Sequence, residues 1–150
     1  MIKLLWVDDN LNQDLAEKRM SLLMEDEIES DFAGDATEAY FLLTDREKEY
    51  DVVLMDLRHP AGPDDIWNDY AEQADRKFGP VLLRMVKENQ DSKFNHLSKT
   101  RYGVFTIETK EENPDLFVPP INLPEQNYKM KTHAYDEKDF INFIYALYKS

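Results

Sequence analysis

Short runs of apolar residues alternate along this chain with longer segments in which apolar residues recur every three or four positions. The short runs predict five β-strands, at Ile2–Val7, Ile28–Ala33, 51–55, 102–107 and 128–131. The longer segments predict helices at 11–24, 36–48 and 64–78, from Gly79 onward, and after Asp136. Regular alternation of strand and helix is typical of an α/β protein with a parallel sheet.

Three aspartates directly follow two of the apolar runs. Asp8 and Asp9 come after the first strand, and Asp56 comes after the third. Ligands of open parallel α/β sheets bind at the carboxyl ends of the strands, so we expect these three carboxylates at one sheet edge. Two carboxylates about 4 Å apart repel each other by roughly 4 kcal/mol at an effective dielectric of about 20. A cation should therefore join them, and a hard divalent ion with oxygen ligands, most simply Mg²⁺, fits this set.

Two further polar residues are predicted at the same edge. Thr106 lies in the fourth strand, and Lys131 ends the fifth. A metal, a hydroxyl and an ammonium are the groups that stabilise a phosphoryl group on a carboxylate. An ionised aspartate is itself a nucleophile and needs no general base. Lys129 is an alternative to Lys131, but the alternation of side chains along a strand favours Lys131.

Several segments then resemble the receiver domains of bacterial response regulators, the CheY-like domains of two-component signalling. Residues 5–10 (LWVDDN) resemble the first-strand motif of that family, and residues 51–60 (DVVLMDLRHP) resemble its phosphoacceptor motif. Residues 106–113 (TIETKEEN) resemble the stretch after its fourth strand. Tyr128 and Lys131 keep the three-residue spacing between its switch aromatic and its lysine. The resemblance covers essentially the whole chain and implies a doubly wound, five-stranded parallel sheet of the flavodoxin-like, CheY-like class.

The resemblance implies a metal and a modification site. Asp56 is then the phosphorylation site. Asp9 and Asp56 bind Mg²⁺ directly, helped by the backbone carbonyl of Arg58, and Asp8 acts on the metal largely through water.

It also implies a switch. Lys131 and Thr106 hold the phosphoryl oxygens, and Tyr128 is the ring that turns inward when the threonine moves. Such a change is a population shift between two existing conformers, biased by a local change of charge.

The implied partners are a histidine kinase or phosphotransfer protein, which supplies the phosphoryl group, and a downstream protein target. The chain is then a signalling domain and not an enzyme acting on a separate substrate, because it promotes only its own phosphotransfer and autodephosphorylation.

Some features depart from the family pattern. Residues 61–77 resemble an insertion of helical character after the third strand, before Gly79, which resembles the glycine that opens the family's third helix. Four prolines within 114–124 predict that the family's fourth helix is disrupted. Thr132 stands where the family usually has proline, and Ile107 is bulkier than the small residue that often follows the threonine.

Composition limits the remaining possibilities. The 150 residues suit one domain, and 42% hydrophobic with 33% charged residues is typical of a globular protein. A net charge of −13 argues against nucleic acid and anionic membrane partners. The chain has no cysteine and no apolar run near the roughly 18 residues of a membrane span. Met1 leads directly into the first strand, so we expect no signal peptide and a cytoplasmic location.

Other interpretations stay open. Asp8 and Asp9 could cap the first helix, Thr106 could be an ordinary strand residue, and Tyr128 could be a packed aromatic. A pseudo-receiver that binds a partner without phosphorylation keeps the same fold, with residues 61–77 and the proline-rich stretch as its contact surface. A phosphatase of the haloacid dehalogenase type is a third class, but it calls for a second acid where Asn10 stands.

Overall fold

A computed structural model describes residues 1–70, 76–131 and 136–150, and a single parallel sheet lies at its centre. The five strands have the order β2-β1-β3-β4-β5, and every neighbouring pair is parallel. The strands are β1 Ile2–Val7, β2 Ile28–Ala33, β3 Val52–Met55, β4 Arg101–Thr106 and β5 Tyr128–Met130. The predicted doubly wound, five-stranded α/β sheet is confirmed.

Helices cover both faces of the sheet. They are α1 Ala16–Leu23, α2 Ala36–Thr44, α3 Gly79–Glu88 and α4 Glu137–Lys149. Alternate residues of β1 point to opposite faces: Leu5 packs in the core cluster that contains α2 and α3, and Trp6 packs in the one that contains α1 and α4. Burial on both faces explains why β3, and β1 apart from the exposed Lys3, are continuous apolar runs.

The first helix is shorter than the predicted 11–24. Residues 9–15 form turns, in which the amides of Gln13 and Leu15 both donate to the carbonyl of Asn10, at 3.1 and 3.2 Å. Leu11 and Leu15 are nevertheless buried. Apolar spacing therefore marked the correct buried residues but could not distinguish a helix from successive turns.

The second helix begins where predicted and ends early. Asp35, followed three residues later by Glu38, predicts a helix cap. The Asp35 side chain accepts a hydrogen bond from the amide of Glu38 at 2.8 Å, which confirms that cap. The helix ends at Thr44 rather than near Lys48, because Asp45 has extended backbone angles.

The segment after β3 is helical in a different form from the one predicted. Asp65–Trp67 forms a 3-10 turn, and the described parts of the predicted helix, 64–70 and 76–78, contain no α-helix. The Trp67 side chain is buried, and its indole Nε1 donates to Thr37 Oγ1 at 2.9 Å. This contact ties the segment to the start of α2, so the position of the indole decides the path of the chain.

The connection between β4 and β5 contains 3-10 turns in place of a long helix. They are Lys110–Glu112, Pro114–Phe117 and Glu125–Asn127. Proline interrupts helical hydrogen bonding, so the predicted disruption of the fourth helix of the receiver pattern is confirmed.

The last helix begins after Asp136, as predicted, and the Asp136 side chain caps it by accepting a hydrogen bond from the amide of Asp139 at 2.8 Å. The sequence also predicts that Tyr135 packs against Phe140 at the start of this helix. Tyr135 and Thr132 lie outside the described residues. Within the described ranges, no helix is both long and apolar enough to cross a membrane.

Candidate functional site

Three carboxylates meet at the carboxyl edge of β1 and β3. Asp8, Asp9 and Asp56 each offer an oxygen, and these oxygens lie within 4.8 Å of one another. The amide of Asp56 donates to the carbonyl of Val7 at 2.9 Å, so the pairing of β1 with β3 extends to the site and fixes its position. Asp8 is fully buried, Asp56 is buried and Asp9 is exposed, which leaves one side of the cluster open to solvent.

The Lys131 ammonium lies between two of these carboxylates. Its Nζ is 2.6 Å from Asp8 Oδ2 and 2.9 Å from Asp56 Oδ2. Its backbone amide donates to the carbonyl of Thr106 at 2.7 Å, which holds the lysine beside the end of β4. Lys129 is exposed, and its Nζ lies 5.9 Å from the centre of the Phe143 ring. The structure thus brings Lys131, and not Lys129, to the carboxylates.

The charges in this cluster are not balanced by the protein alone. Burial, and then the charge of Asp56, raises the pKa of Asp8 to about 6 although Lys131 acts to lower it. Burial would lower the pKa of Lys131, but the two carboxylates outweigh burial and raise it. The cluster contains three carboxylates and one ammonium, so negative charge is in excess, and every atom that could bind a metal is a carboxylate oxygen. A hard divalent cation such as Mg²⁺ fits both the excess negative charge and the donor type.

Thr106 contributes a hydroxyl with unused hydrogen-bonding capacity. Its side chain is fully buried at the end of β4, and Oγ1 has no hydrogen-bond partner within the described residues. Leaving a buried hydroxyl unsatisfied costs about 1–3 kcal/mol. The hydroxyl is therefore available to an oxygen-rich ligand at this edge.

Glu108 is the centre of a polar network that the sequence did not reveal. The buried carboxylate accepts from Arg58 Nε through Oε2, while Oε1 lies 2.8 Å from Lys77 Nζ and 3.1 Å from Asn113 Nδ2. Burial alone would raise its pKa, but hydrogen bonds from Lys77, Asn113 and Arg58 lower it to about 2. Arg58 and Glu108 lie within the motifs that flank the site, but nothing in the sequence indicated their contacts with Lys77 and Asn113. No spacing rule links residue 77 to residue 108.

Tyr128 faces inward and contacts the same network. Its ring is buried, and its hydroxyl donates to the backbone carbonyl of Glu108 at 2.7 Å. Asn113 Nδ2 donates to the same hydroxyl at 3.4 Å. Burial raises the pKa of Tyr128 to about 12, so the hydroxyl remains a donor at neutral pH. The residue predicted to act as a switch is therefore in contact with the loop after β4.

The start of α3 lies against the loop that follows Asp56. The amide of Gly79 donates to the carbonyl of Leu57 at 3.0 Å. A Cβ at residue 79 would lie 2.5 Å from the carbonyl oxygen of Asp56, so only glycine allows this approach. Ile107, by contrast, is 63% exposed and its bulk points away from the packed interior.

Comparison with known proteins gives a consistent answer for the fold. No protein-family model matches the chain, and no curated protein matches it. A response regulator receiver domain protein (CheY-like) from Methanospirillum hungatei JF-1 is similar in structure, with a TM-score of 0.68 and 17% identity over 99% of this chain and 94% of that one. The receiver domain of the Francisella response regulator 1452 has a TM-score of 0.63 and 20% identity over 99% and 98% of the two chains.

A third similar structure is a longer protein. RcsB from Salmonella enterica serovar Typhimurium, bound to promoter rprA in the presence of phosphomimetic BeF3-, has a TM-score of 0.61 and 19% identity over 97% of this chain and 67% of that one. The chain thus has the fold of response regulator receiver domains over nearly its whole length, and the resemblance predicted from its motifs is confirmed at the level of the fold.

Proposed function

We propose that this chain is the phosphoacceptor receiver domain of a two-component phosphorelay. It takes a phosphoryl group from a histidine kinase or phosphotransfer protein onto Asp56 in the presence of Mg²⁺, and it signals through protein–protein contacts. The observation that carries this proposal is the position of Lys131 Nζ between Asp8 and Asp56, at the edge where Thr106 presents a buried hydroxyl without a partner. The fold shared with receiver domains supports the same role.

In the proposed reaction, an Asp56 carboxylate oxygen attacks the phosphorus of a phosphohistidine in line with the phosphorus–nitrogen bond. The new oxygen–phosphorus bond forms as the phosphorus–nitrogen bond breaks, and the departing imidazole nitrogen takes up a proton from solvent. The Lys131 ammonium and the Thr106 hydroxyl donate hydrogen bonds to the phosphoryl oxygens. Water later hydrolyses the acyl phosphate, so the domain resets without turning over a separate substrate.

Mg²⁺ would be held by Asp9, Asp56 and the backbone carbonyl of Arg58, with Asp8 acting through water. It would neutralise charge on the carboxylates and on the transferred group. The carboxylate cluster supports this assignment because its oxygens converge within 4.8 Å.

We treat residues 1–150 as one receiver domain in which 61–77 is an insertion beside the site. Tyr128 would report phosphorylation to a downstream protein through the surface around β5. Binding to promoter DNA is a property of RcsB. For this chain, the net charge of −13 predicts that neither nucleic acids nor membranes are partners. A cytoplasmic location is also a prediction.

A small phosphodonor tests the proposal. Purified protein incubated with phosphoramidate and Mg²⁺ should gain the mass of one phosphoryl group, as measured by intact-mass spectrometry. The Asp56→Ala variant should gain none. An adduct of equal yield in Asp56→Ala would remove Asp56 from this role.

One observation favours a second candidate, a pseudo-receiver that binds its partner constitutively. Tyr128 is buried and its hydroxyl donates to the backbone carbonyl of Glu108, so contacts within the protein are enough to hold its ring in an inward position. Backbone NMR spectra with and without Mg²⁺ and beryllofluoride separate the two candidates. Shifts confined to the ends of β1, β3, β4 and β5 support the phosphoacceptor, and an unchanged spectrum supports the pseudo-receiver.

A further inference from the structure

Glu108 has two cationic partners, and they come from different parts of the chain. Arg58 follows the phosphoacceptor strand β3 by three residues and contacts Oε2. Lys77 lies at the end of the 61–77 segment and contacts Oε1 at 2.8 Å. Because the two cations use separate oxygens, either of them can leave while the other remains in contact.

The two cations differ in their freedom to move. The Arg58 side chain is 51% exposed, whereas the Lys77 side chain is 23% exposed and also donates to Asn113 Oδ1. Backbone pairing of residue 77 with His59 holds the lysine further. Lys77 is therefore the fixed partner of Glu108, and Arg58 is the partner that can reorient toward solvent.

Phosphorylation of Asp56 would create a demand for another cation at this edge. The acyl phosphate carries a charge of about −1.5 to −2 at neutral pH in place of the single negative charge of the Asp56 carboxylate. Lys131, which is shared between Asp8 and Asp56, and one divalent cation would offset the three carboxylates but not this additional charge. Arg58 is two residues from Asp56, and a guanidinium matches the geometry of phosphoryl oxygens. If Arg58 turned to the phosphoryl group and Glu108 had no other partner, a buried carboxylate would be left unpaired, which is strongly unfavourable.

We propose that Lys77 is a positioning residue. It keeps the ionised Glu108 carboxylate paired with a cation, and so frees Arg58 to contact the phosphoryl group on Asp56. This inference rests on the proposed phosphoacceptor function. It assigns a role to the 61–77 segment, because that segment supplies the cation that replaces Arg58 at Glu108. Lys77 itself does not touch the phosphoryl group, and its effect passes entirely through Glu108.

Beryllofluoride, which mimics the phosphoryl group, provides the test. Its affinity in excess Mg²⁺ is measured by isothermal titration calorimetry for the full chain, for Lys77→Gln, for Lys77→Arg and for Lys99→Gln. Lys99 is exposed and precedes β4 at the opposite edge of the sheet, so its variant removes the same charge far from the site. We expect Lys77→Gln to weaken beryllofluoride binding about tenfold, and Lys77→Arg and Lys99→Gln to stay within about twofold of the unsubstituted chain.

Two readouts separate a positioning role from a general loss of structure. The first is coupling: in a Glu108→Gln background, the further change Lys77→Gln should have no effect, because there is no carboxylate left to neutralise. The second is the NMR signal of the Arg58 Nε–H group in the unsubstituted chain. It should shift when beryllofluoride is added, as Arg58 leaves Glu108.

The outcomes distinguish this inference from the proposed function. If the unsubstituted chain binds no beryllofluoride, the phosphoacceptor function fails, and this inference fails with it. If the chain binds beryllofluoride but the Arg58 Nε–H signal does not move, or Lys77→Gln binds as tightly as Lys99→Gln, only the role of Lys77 is overturned. If Lys77→Gln does not fold, the comparison passes to Lys77→Met, which keeps the aliphatic stem and should weaken beryllofluoride binding to the same extent, and an unmoved Arg58 signal in the unsubstituted chain still overturns the inference.

Discussion

Lys131 is the cation on which the candidate site depends at the scale of single residues, because its ammonium contacts both Asp8 and Asp56. Its position was predictable from the alternation of strand faces and from its spacing to Tyr128. Its pairing with the fully buried Asp8 was not, since a strand pattern says nothing about which of two adjacent aspartates is buried.

Replacing this ammonium tests its role directly. Lys131→Met should reduce the rate of phosphorylation by phosphoramidate about 100-fold, because a preorganised donor to the developing charge is lost. The matched control is Lys129→Met, which removes an exposed lysine two residues away and should leave the rate unchanged. Intact-mass time courses give both rates, and equal losses in the two variants would contradict the assignment.

A second prediction at the scale of single residues concerns Glu108 and the dependence of the free energy of unfolding on pH. Its folded-state pKa is lowered from an ordinary value of 4.5 to about 2, so its contribution to stability is present above pH 4.5 and is lost as the pH falls through about 2. Glu108→Gln should therefore reduce the free energy of unfolding by about 1–3 kcal/mol at pH 7.

The difference between Glu108→Gln and the unsubstituted chain should shrink as the pH is lowered from about 4.5 toward 2. Urea unfolding followed by circular dichroism at several pH values measures it. A difference that is constant across this range would show that the charge of Glu108 is not the source of the stabilisation.

At the scale of elements, the start of α3 sets the geometry of the loop that follows Asp56. Gly79→Ala places a Cβ 2.5 Å from the carbonyl oxygen of Asp56 and 2.7 Å from Leu57 Cα, and both are backbone atoms that cannot rotate away. We expect it to destabilise the fold by about 1–3 kcal/mol and to weaken Mg²⁺ binding, because helix and loop must separate.

Gly34→Ala is the control for this variant. A Cβ at residue 34 would meet nothing closer than the Glu38 carboxylate at 3.9 Å, which is ordinary contact. Thermal unfolding should show a small change for Gly34→Ala and a large decrease for Gly79→Ala. Equal stability of the two variants would show that the approach of α3 to the loop is not tight.

The elements also show what the sequence could predict. The predicted strands agree with the observed ones to within one residue at either end. For β1 and β3 the reason is burial on both faces, which leaves an almost continuous apolar run bounded by polar residues. Helix ends were less predictable. The turns at 9–15 bury Leu11 and Leu15 as a helix would, and the path of 64–70 depends on a hydrogen bond from Trp67 to Thr37, thirty residues away.

At the scale of the whole molecule, the strand order explains why distant residues meet. In the order β2-β1-β3-β4-β5, the ends of β1, β3, β4 and β5 follow one another along one edge, and these ends carry Asp8, Asp56, Thr106 and Lys131. Parallel strands with right-handed crossovers make this convergence predictable from the order of motifs alone. The Glu108 network was not predictable, because it depends on where the 61–77 and 108–117 segments lie after folding.

The central claim is that this edge makes Asp56 a phosphoacceptor that depends on a divalent cation. The most direct measurement is peptide fragmentation by mass spectrometry, after treatment with phosphoramidate in Mg²⁺ or in a chelator. We predict a phosphoryl group on Asp56 in Mg²⁺ and almost none in the chelator. A phosphoryl group on another residue, or the same yield on Asp56 without a divalent cation, would contradict the account.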